Sequence, residues 1–300
     1  KIINQILQKL PLLSEWHSEH ILKKFNYISW NDSIKKLHNP EIKENYKKNF
    51  YKRLAFDEIF STFLVNSEIR KKIKRIKKKN KKIDGDKQNV IIKKLDFTLT
   101  KDQLKSLEEI NSDLRSSNKM FRLLQGDVGS GKTIVSIISA FNTINSGFQV
   151  SFMAPTEILV RQHFNLAKKI LPKNINIRLI SGKTSYKEKK EILYELSNHK
   201  IDIIFGTHAI FQKKVFFKKL GLIIIDEQHK FGVSQRKKLS DKGGDSCDVL
   251  LMTATPIPRT LTMTIYGDMD LSIIREKPSI RKPILTYSKL ESKTNEIIEF

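Results

Sequence analysis

The octapeptide Gly126–Thr133, which reads GDVGSGKT, lies between the apolar run Phe121–Gln125 and the helical pattern Ile134–Ile144. It fits the pattern G-x-x-x-x-G-K-[ST], in which glycines turn the backbone so that successive amides face a phosphate. The helix that follows adds the positive end of its dipole. In such a loop Lys132 contacts the β- and γ-phosphates, and the Thr133 hydroxyl coordinates Mg²⁺. The predicted phosphate-binding residues are Gly126, Asp127, Val128, Gly129, Ser130, Gly131, Lys132 and Thr133.

Six apolar runs alternate with helical patterns along the rest of the chain. They are Phe121–Gln125, Gln149–Met153, Ile175–Ile180, Ile201–Phe205, Leu220–Ile225 and Val249–Met252. Strands separated by helices form parallel β–α units with helices on both faces of the sheet. The sequence therefore predicts an α/β fold with a doubly wound, mainly parallel sheet. Ligands of such sheets bind beyond the carboxyl ends of the strands, so functional residues are expected directly after each run.

Two adjacent acids follow the most apolar run, Leu222–Ile225. Asp226 suits the coordination sphere of Mg²⁺, and Glu227 suits a general base that deprotonates attacking water. Paired acids after a strand are often only a solvated loop. The phosphate-binding loop in the same chain favours a hydrolase, with Lys132, Asp226 and Glu227 as its catalytic residues.

Small and hydroxyl residues follow three other strands. Thr253 and Thr255 stand two positions apart after Val249–Met252, where their hydroxyls can bond to a neighbouring acidic strand end. The segments Ala154–Glu157 and Gly206–Ala209 begin helices, whose free amides can bind a phosphate oxygen of a nucleic-acid backbone. Ordinary helix caps have the same composition, so both interpretations stay open here.

Composition excludes several protein classes. The 300 residues include one cysteine and carry a formal net charge of +24. A single cysteine cannot build a disulfide framework, and no apolar run reaches the 18 residues that predict a membrane span. Both features favour a cytoplasmic protein that does not enter a membrane. The positive charge favours a polyanionic partner such as nucleic acid, although a lysine-rich composition of an AT-rich genome would also produce it.

The chain divides into three segments that differ in their residue patterns. Residues 1–96 have a helical pattern and include the basic stretch Arg70–Lys82, in which ten of thirteen residues are basic. Such a stretch is either a solvated helix face or link, or a nucleic-acid contact. Residues 97–280 hold the alternating pattern, and residues 281–300 begin another domain or a connector.

The motif strings together resemble a known family. GDVGSGKT, DEQH and TATPIPR, with APTE and GTHAIF between them, resemble motifs I, II, III, Ia and Ib of superfamily 2 helicases. More narrowly, residues 50–285 resemble the RecG family of bacterial ATP-dependent DNA helicases, to which RLAFDE at 53–58 and DEQHKFGV at 226–233 also correspond. The resemblance implies a RecA-like P-loop NTPase lobe at 97–280. Residues 1–96 would be the helical linker from a wedge domain, and residues 281–300 would begin the second motor lobe or a connector.

The resemblance also implies residue roles. Phe97 and Gln103 would contact adenine, and Lys132, Thr133, Asp226 and Glu227 would bind and hydrolyse ATP with Mg²⁺. The residues expected to couple nucleotide state to DNA are His229, Thr253 and Thr255. Those expected to contact the DNA backbone are Pro155, Thr156, Gly206 and Thr207.

RecG-like function would be ATP-driven remodelling of branched DNA, such as stalled forks and Holliday junctions, in recombination and repair. Branched or duplex DNA would be the partner. The resemblance further suggests single-stranded DNA-binding protein as a second partner, a monomeric state and the bacterial cytoplasm. Family members close the ATP site with an arginine finger from a second lobe, so we expect this stretch alone to bind ATP but hydrolyse it poorly. The alternatives are a translocase of the transcription-repair coupling factor (Mfd) type, an RNA helicase, and a DNA-binding module that binds nucleotide without hydrolysing it.

Overall fold

A computed structural model describes residues 2–39, 41–212, 214–227, 247–255, 269–276, 288, 290–291 and 294–298. The strands are β1 (Phe121–Gly126), β2 (Gln149–Met153), β3 (Ile177–Ile180), β4 (Ile203–Gly206), β5 (Leu220–Ile225), β6 (Asp248–Thr253) and β7 (Asp270–Ile274). The helices are α1 (Ile2–Gln8), α2 (Glu19–Phe25), α3 (Trp30–Leu37), α4 (Glu44–Arg75), α5 (Gly85–Lys93), α6 (Lys101–Arg115), α7 (Lys132–Asn145), α8 (Glu157–Ile170), α9 (Tyr186–Ser197) and α10 (Thr294–Ile298), with a 3₁₀ turn at His208–Phe211.

The strands form one seven-stranded sheet in the order β3-β4-β2-β5-β6-β1-β7. The pairs β3–β4, β4–β2, β2–β5, β5–β6 and β6–β1 are all parallel. Strands β2, β4, β5 and β6 are buried along their whole length, as expected for a sheet covered on both faces. The predicted α/β fold is confirmed.

The chain divides into two compact units. Unit 1 comprises the described residues of 1–75 and 257–270, and unit 2 those of 76–256 and 271–300. Residues 76–96, which the sequence assigned to the linker, thus lie in the unit that contains most of the sheet. The predicted boundary at residue 97 stays a prediction.

The core of unit 2 lies between the sheet and its helices. It includes Leu124 of β1, Val150 of β2, Ile224 of β5 and Leu250 of β6, all fully buried. Helix α7 contributes Ile137 and is buried along most of its length. The loop before α7 is therefore attached to a helix that is packed into the core.

Unit 1 is organised around a buried arginine. The Arg53 side chain of α4 is fully buried and bonds to Asp57 one turn on, to Glu15 at 2.7 Å and to the Ile28 carbonyl at 3.2 Å. His17 approaches the same Asp57 carboxylate at 2.6 Å. The paired carboxylates compensate the buried cation, which would otherwise be costly to bury.

Across the described ranges, no helix combines the length and apolar character needed to cross a bilayer.

Candidate nucleotide site and nucleic-acid edge

The phosphate-binding loop joins β1 to α7, as predicted. Its lysine bends back over the loop, where the Lys132 ammonium donates to the carbonyls of Gly126 at 2.6 Å and Asp127 at 2.9 Å. Gly129 and Gly131 have φ values of +75° and +90°. The loop therefore surrounds a single cation at the start of a buried helix, an arrangement suited to an anionic phosphate chain.

Gln103 is built into the same loop. Its side chain is fully buried, donates through Nε2 to the Ser130 carbonyl at 2.7 Å, and accepts through Oε1 from the Thr100 amide at 2.9 Å. Thr100 and Gln103 form the capping box of α6. Sequence reasoning did not anticipate this supporting contact with the loop. Phe97, six positions before Gln103, is partly buried and packs against the hydrophobic core. The contacts of Phe97 and Gln103 with adenine remain predictions.

The acidic pair lies at the same edge of the sheet. Asp226 directly follows β5, is largely buried, and its amide donates to the Met153 carbonyl of β2 at 2.8 Å. Glu227 follows with a φ of +51°, a left-handed conformation rare for a residue with a side chain. This sharp turn places two carboxylates where a buried strand ends.

The electrostatics of Lys132 link the loop to the acids. Burial lowers the pKa of the Lys132 ammonium, and the charges of Asp226, Glu227 and Asp127 act in the opposite direction. The lysine is therefore close enough to both acids for their charges to stabilise its cationic form. The structure brings together the three residues that the sequence nominated as catalytic.

A histidine to which the sequence analysis gave no role contacts Asp226, the carboxylate predicted to bind Mg²⁺. His163 of α8 is largely buried, and its Nε2 lies 2.7 Å from Asp226 Oδ2. The buried residues of α8 are Val160, His163, Ala167 and Ile170, so the histidine lies on the helix face that covers the sheet. A polar residue on an apolar helical stripe was the signal available in the sequence.

Two residues of the predicted coupling segment lie at the end of β6, Thr253 as its last residue and Thr255 two positions further on. The Thr253 and Thr255 hydroxyls are 2.8 Å apart, and the Thr255 amide donates to Thr253 Oγ1 at 3.2 Å. Because Thr253 pairs in register with Gln125, it lies beside the start of the phosphate-binding loop. The third predicted coupling residue, His229, lies outside the described residues.

Two predicted DNA-contact segments meet at the same edge. Met153 pairs with Gly206 in register, and the Ala154 amide donates to the Gly206 carbonyl at 3.2 Å, so Pro155 and Thr156 lie near Gly206 and Thr207. A Cβ on Gly206 would approach the Ile180 carbonyl oxygen to 2.6 Å, so a larger residue would have to displace backbone. Thr156 caps α8 by accepting from the Leu159 amide at 3.3 Å. The contacts with DNA stay predictions.

The donors available to Mg²⁺ are hard oxygens. Thr133 offers a hydroxyl and Asp226 a carboxylate whose two oxygens accept from His163 and from the Glu227 amide, each keeping a further lone pair. No group of three or more acidic, histidine or cysteine side chains that could hold a metal occurs among the described residues. Mg²⁺ does not need one, since it is commonly bound by one or two protein oxygens, water and substrate phosphates. Thr133 and Asp226 therefore fit a nucleotide-dependent Mg²⁺ site.

Comparison with known proteins identifies the family. A family profile described as DEAD/DEAH box helicase matches residues 100–264, more than half of the chain. The chain belongs to the DEAD/DEAH box helicase family. The matched residues begin at the capping box of α6 and include the phosphate-binding loop, the acidic pair and both threonines at the end of β6.

Within this helicase family, the resemblance to RecG is confirmed. The chain is 43% identical over 282 residues to the ATP-dependent DNA helicase RecG of Streptococcus pneumoniae, covering 93% of this chain and 41% of that protein. It is 42% identical over 289 residues to RecG of Thermotoga maritima, covering 96% of this chain and 37% of that protein. The chain thus spans about two fifths of the length of these curated relatives.

A solved structure agrees with the sequence comparison. The structure of RecG bound to a three-way DNA junction superposes on 99% of this helicase chain with a TM-score of 0.81 and 38% identity, and the match covers 40% of that RecG chain. The DUF1998 helicase MrfA bound to DNA matches 75% of this chain and 35% of its own with a TM-score of 0.51 and 16% identity, which indicates a shared fold.

Proposed function

We propose that this chain is the first ATPase lobe of a RecG-type DNA helicase that remodels branched DNA. The observation that supports it most is the placement of Lys132 near Asp226 and Glu227 in a chain similar to RecG along nearly its whole length. The proposal includes action on stalled forks and Holliday junctions in the bacterial cytoplasm. A monomeric state and contact with single-stranded DNA-binding protein remain expectations from the resemblance.

Different residues of the site bind ATP, hold the metal, accept a proton and contact DNA in this proposal. The loop amides and Lys132 bind the phosphate chain of ATP, while Thr133 and Asp226 would hold Mg²⁺, which when bound neutralises charge on the β- and γ-phosphates. Glu227 accepts the proton of the water that attacks the γ-phosphorus, while the bond from this phosphorus to the β–γ bridging oxygen breaks and ADP leaves. Pro155, Thr156, Gly206 and Thr207 offer main-chain and hydroxyl contacts without base recognition, as a motor stepping along any sequence requires.

Replacing Lys132 tests the nucleotide site. In the complete polypeptide, Lys132→Ala removes the cation of the phosphate-binding loop, so DNA-stimulated ATP hydrolysis should fall at least 100-fold, an order of magnitude typical for lost electrostatic stabilisation. Binding of a DNA fork should persist, because the DNA contacts lie on other segments. Lys187→Ala, which removes an exposed lysine of α9, is the matched control. Wild-type hydrolysis by Lys132→Ala would refute the assignment of the loop.

Replacing Glu227 tests the general base separately. Glu227→Gln keeps the shape of the side chain but cannot accept a proton, so ATP binding should stay near wild type while turnover falls by about 10²–10⁴-fold. Equilibrium binding of a fluorescent ATP analogue and single-turnover hydrolysis measure the two properties. Lost binding with normal chemistry per bound ATP would contradict the role of Glu227.

The nucleic acid that stimulates hydrolysis identifies the type of motor. We expect a DNA fork to stimulate the ATPase of the complete polypeptide more than a linear DNA duplex or a structured RNA of equal length. Strongest stimulation by RNA would indicate an RNA helicase, and equal stimulation by fork and duplex would indicate a duplex translocase.

A further inference from the structure

His163 and Asp226 are far apart in the sequence but adjacent at the end of the sheet. The two residues are separated by 63 positions, and the Nε2···Oδ2 distance is 2.7 Å. An ionised carboxylate only accepts hydrogen bonds, so the imidazole presents the N–H of Nε2 to Asp226. The contact therefore gives Nε2 the role of donor and holds one carboxylate oxygen in place.

Both partners are buried. The side chains of His163 and Asp226 are 9% and 10% exposed, respectively, so water competes little for the contact. A hydrogen bond to a charged group in such surroundings is stronger than the same bond at the surface. The geometry of this pair is consequently set by the protein.

The histidine is itself held by packing. Its ring centroid lies 5.0 Å from that of Phe152 in β2, and its helix neighbours Val160 and Ala167 are fully buried. Its freedom to choose another rotamer is therefore small. A polar side chain fixed in this way can orient a functional group that it contacts.

The carboxylate of Asp226 is held at its other oxygen as well. Oδ1 accepts from the Glu227 amide at 3.0 Å, which ties the carboxylate to the turn that carries Glu227. With one oxygen held by the main chain and the other by His163, rotation of the carboxylate about its side-chain bonds is restrained. The remaining lone pairs are then presented in a defined direction.

We propose that His163 is the positioning residue that orients the Asp226 carboxylate toward Mg²⁺. This proposal rests on the proposed nucleotide-hydrolysing function. Hydrogen-bonding partners of metal ligands typically change metal affinity by 10–100-fold when they are removed. His163 does not touch the phosphate chain in this assignment, so binding of nucleotide without metal is independent of it.

The test compares two replacements in the 300-residue chain. His163→Phe keeps an aromatic ring against Phe152 but removes the N–H donor, whereas His163→Gln loses the ring and keeps a donor of similar reach. The readout is affinity for methylanthraniloyl-AMPPNP, a fluorescent and non-hydrolysable ATP analogue, first in EDTA and then with increasing Mg²⁺. Asn165→Leu, on the exposed face of α8, is the matched control.

We expect His163→Phe to bind the analogue like wild type in EDTA and to require about tenfold or more Mg²⁺ for the metal-dependent gain in affinity. His163→Gln should restore most of the Mg²⁺ response, and Asn165→Leu should not alter it. A wild-type Mg²⁺ response of His163→Phe would overturn the proposal, as would equal losses in both His163 variants, since the ring would then matter and not the donor.

The two proposals fail in different ways. Failure of wild-type protein to bind the analogue in EDTA or in Mg²⁺ would refute the nucleotide site itself. Normal wild-type binding with an unaltered His163→Phe variant would refute only the positioning role.

Discussion

Gly131 has a φ of +90°, and a Cβ at this position would lie 2.3 Å from Nε2 of Gln103. Two separate constraints therefore exclude a side chain: the left-handed backbone and the glutamine that supports the loop through the Ser130 carbonyl. The motif in the sequence predicts the first constraint. The second depends on how α6 packs against the loop, which no local pattern records.

Gly131→Ala should therefore destabilise unit 2 by about 1–3 kcal/mol, the usual cost of a strained backbone conformation. It should also weaken ATP binding, because loop amides must move when Gln103 is displaced. Differential scanning fluorimetry and titration with a fluorescent ATP analogue measure the two effects. Gly85→Ala is the control, since that glycine starts α5 with open space around it and should be neutral or slightly stabilising. Wild-type melting and affinity for Gly131→Ala would contradict the argument.

The candidate site was predictable wherever a single segment carries it. The phosphate-binding loop and the acidic pair each occupy consecutive positions after a strand, so their chemistry could be read directly from the sequence. His163 could not be assigned in this way, because its role depends on Asp226, which joins it only through the packing of α8 on the sheet. The left-handed backbone conformation of Glu227 could not be predicted either, because glutamate rarely adopts it and no glycine marks the position.

At the scale of elements, the apolar runs predicted six strands to within about two residues of their observed ends. The seventh strand, Asp270–Ile274, was missed because it lies at the sheet edge and has polar residues at its first and third positions. The order of the strands also lay beyond sequence reasoning. It depends on which crossovers pack best, and chain order alone does not determine this.

The basic stretch Arg70–Lys82 contains both buried and exposed lysines. Lys78 and Lys81 are buried and contact Asp248 Oδ2 at 2.7 and 2.5 Å, while Asp248 Oδ1 accepts from the Met120 amide at 2.7 Å. This cluster ties the segment before α5 to the amino ends of β1 and β6. A run of lysines resembles a solvated surface in sequence, and its buried partner is about 170 residues away.

Asp248→Ala should leave two buried ammonium groups without their counter-charge and lower the stability of unit 2 by about 3–5 kcal/mol. Urea unfolding followed by far-ultraviolet circular dichroism measures the loss. Burial lowers the pKa of the Lys78 ammonium, so folding is less favourable when Lys78 carries its charge. The loss of stability caused by Asp248→Ala should therefore shrink as pH rises toward the ordinary lysine value of 10.5. Asp96→Ala removes an exposed partner of Lys169 and should change little. Equal effects of the two variants would contradict the role of the buried cluster.

For the whole molecule, the net charge of +24 is a weaker indicator of function than the motifs. Some of the basic residues are already neutralised within the fold. Lys78 and Lys81 pair with Asp248 in unit 2, and Arg70 and Lys74 pair with Asp270 in unit 1. Contact of this stretch with DNA would come from its other exposed basic residues, which include Lys72, Arg75, Lys79 and Lys82.

The salt dependence of DNA binding distinguishes a contact from a compositional bias. Each phosphate contact contributes about 0.9 to the slope of log affinity against log salt, so replacing Lys72, Lys79 and Lys82 with glutamine should flatten the slope by roughly 1–3. Fluorescence anisotropy of a labelled fork at several salt concentrations measures it. The matched control replaces three exposed lysines outside the basic stretch, Lys173, Lys187 and Lys190. These replacements should leave the slope unchanged. If the first set behaves like the second, these three lysines do not release counterions from DNA, and a lysine-rich composition is the simpler explanation of the basic stretch.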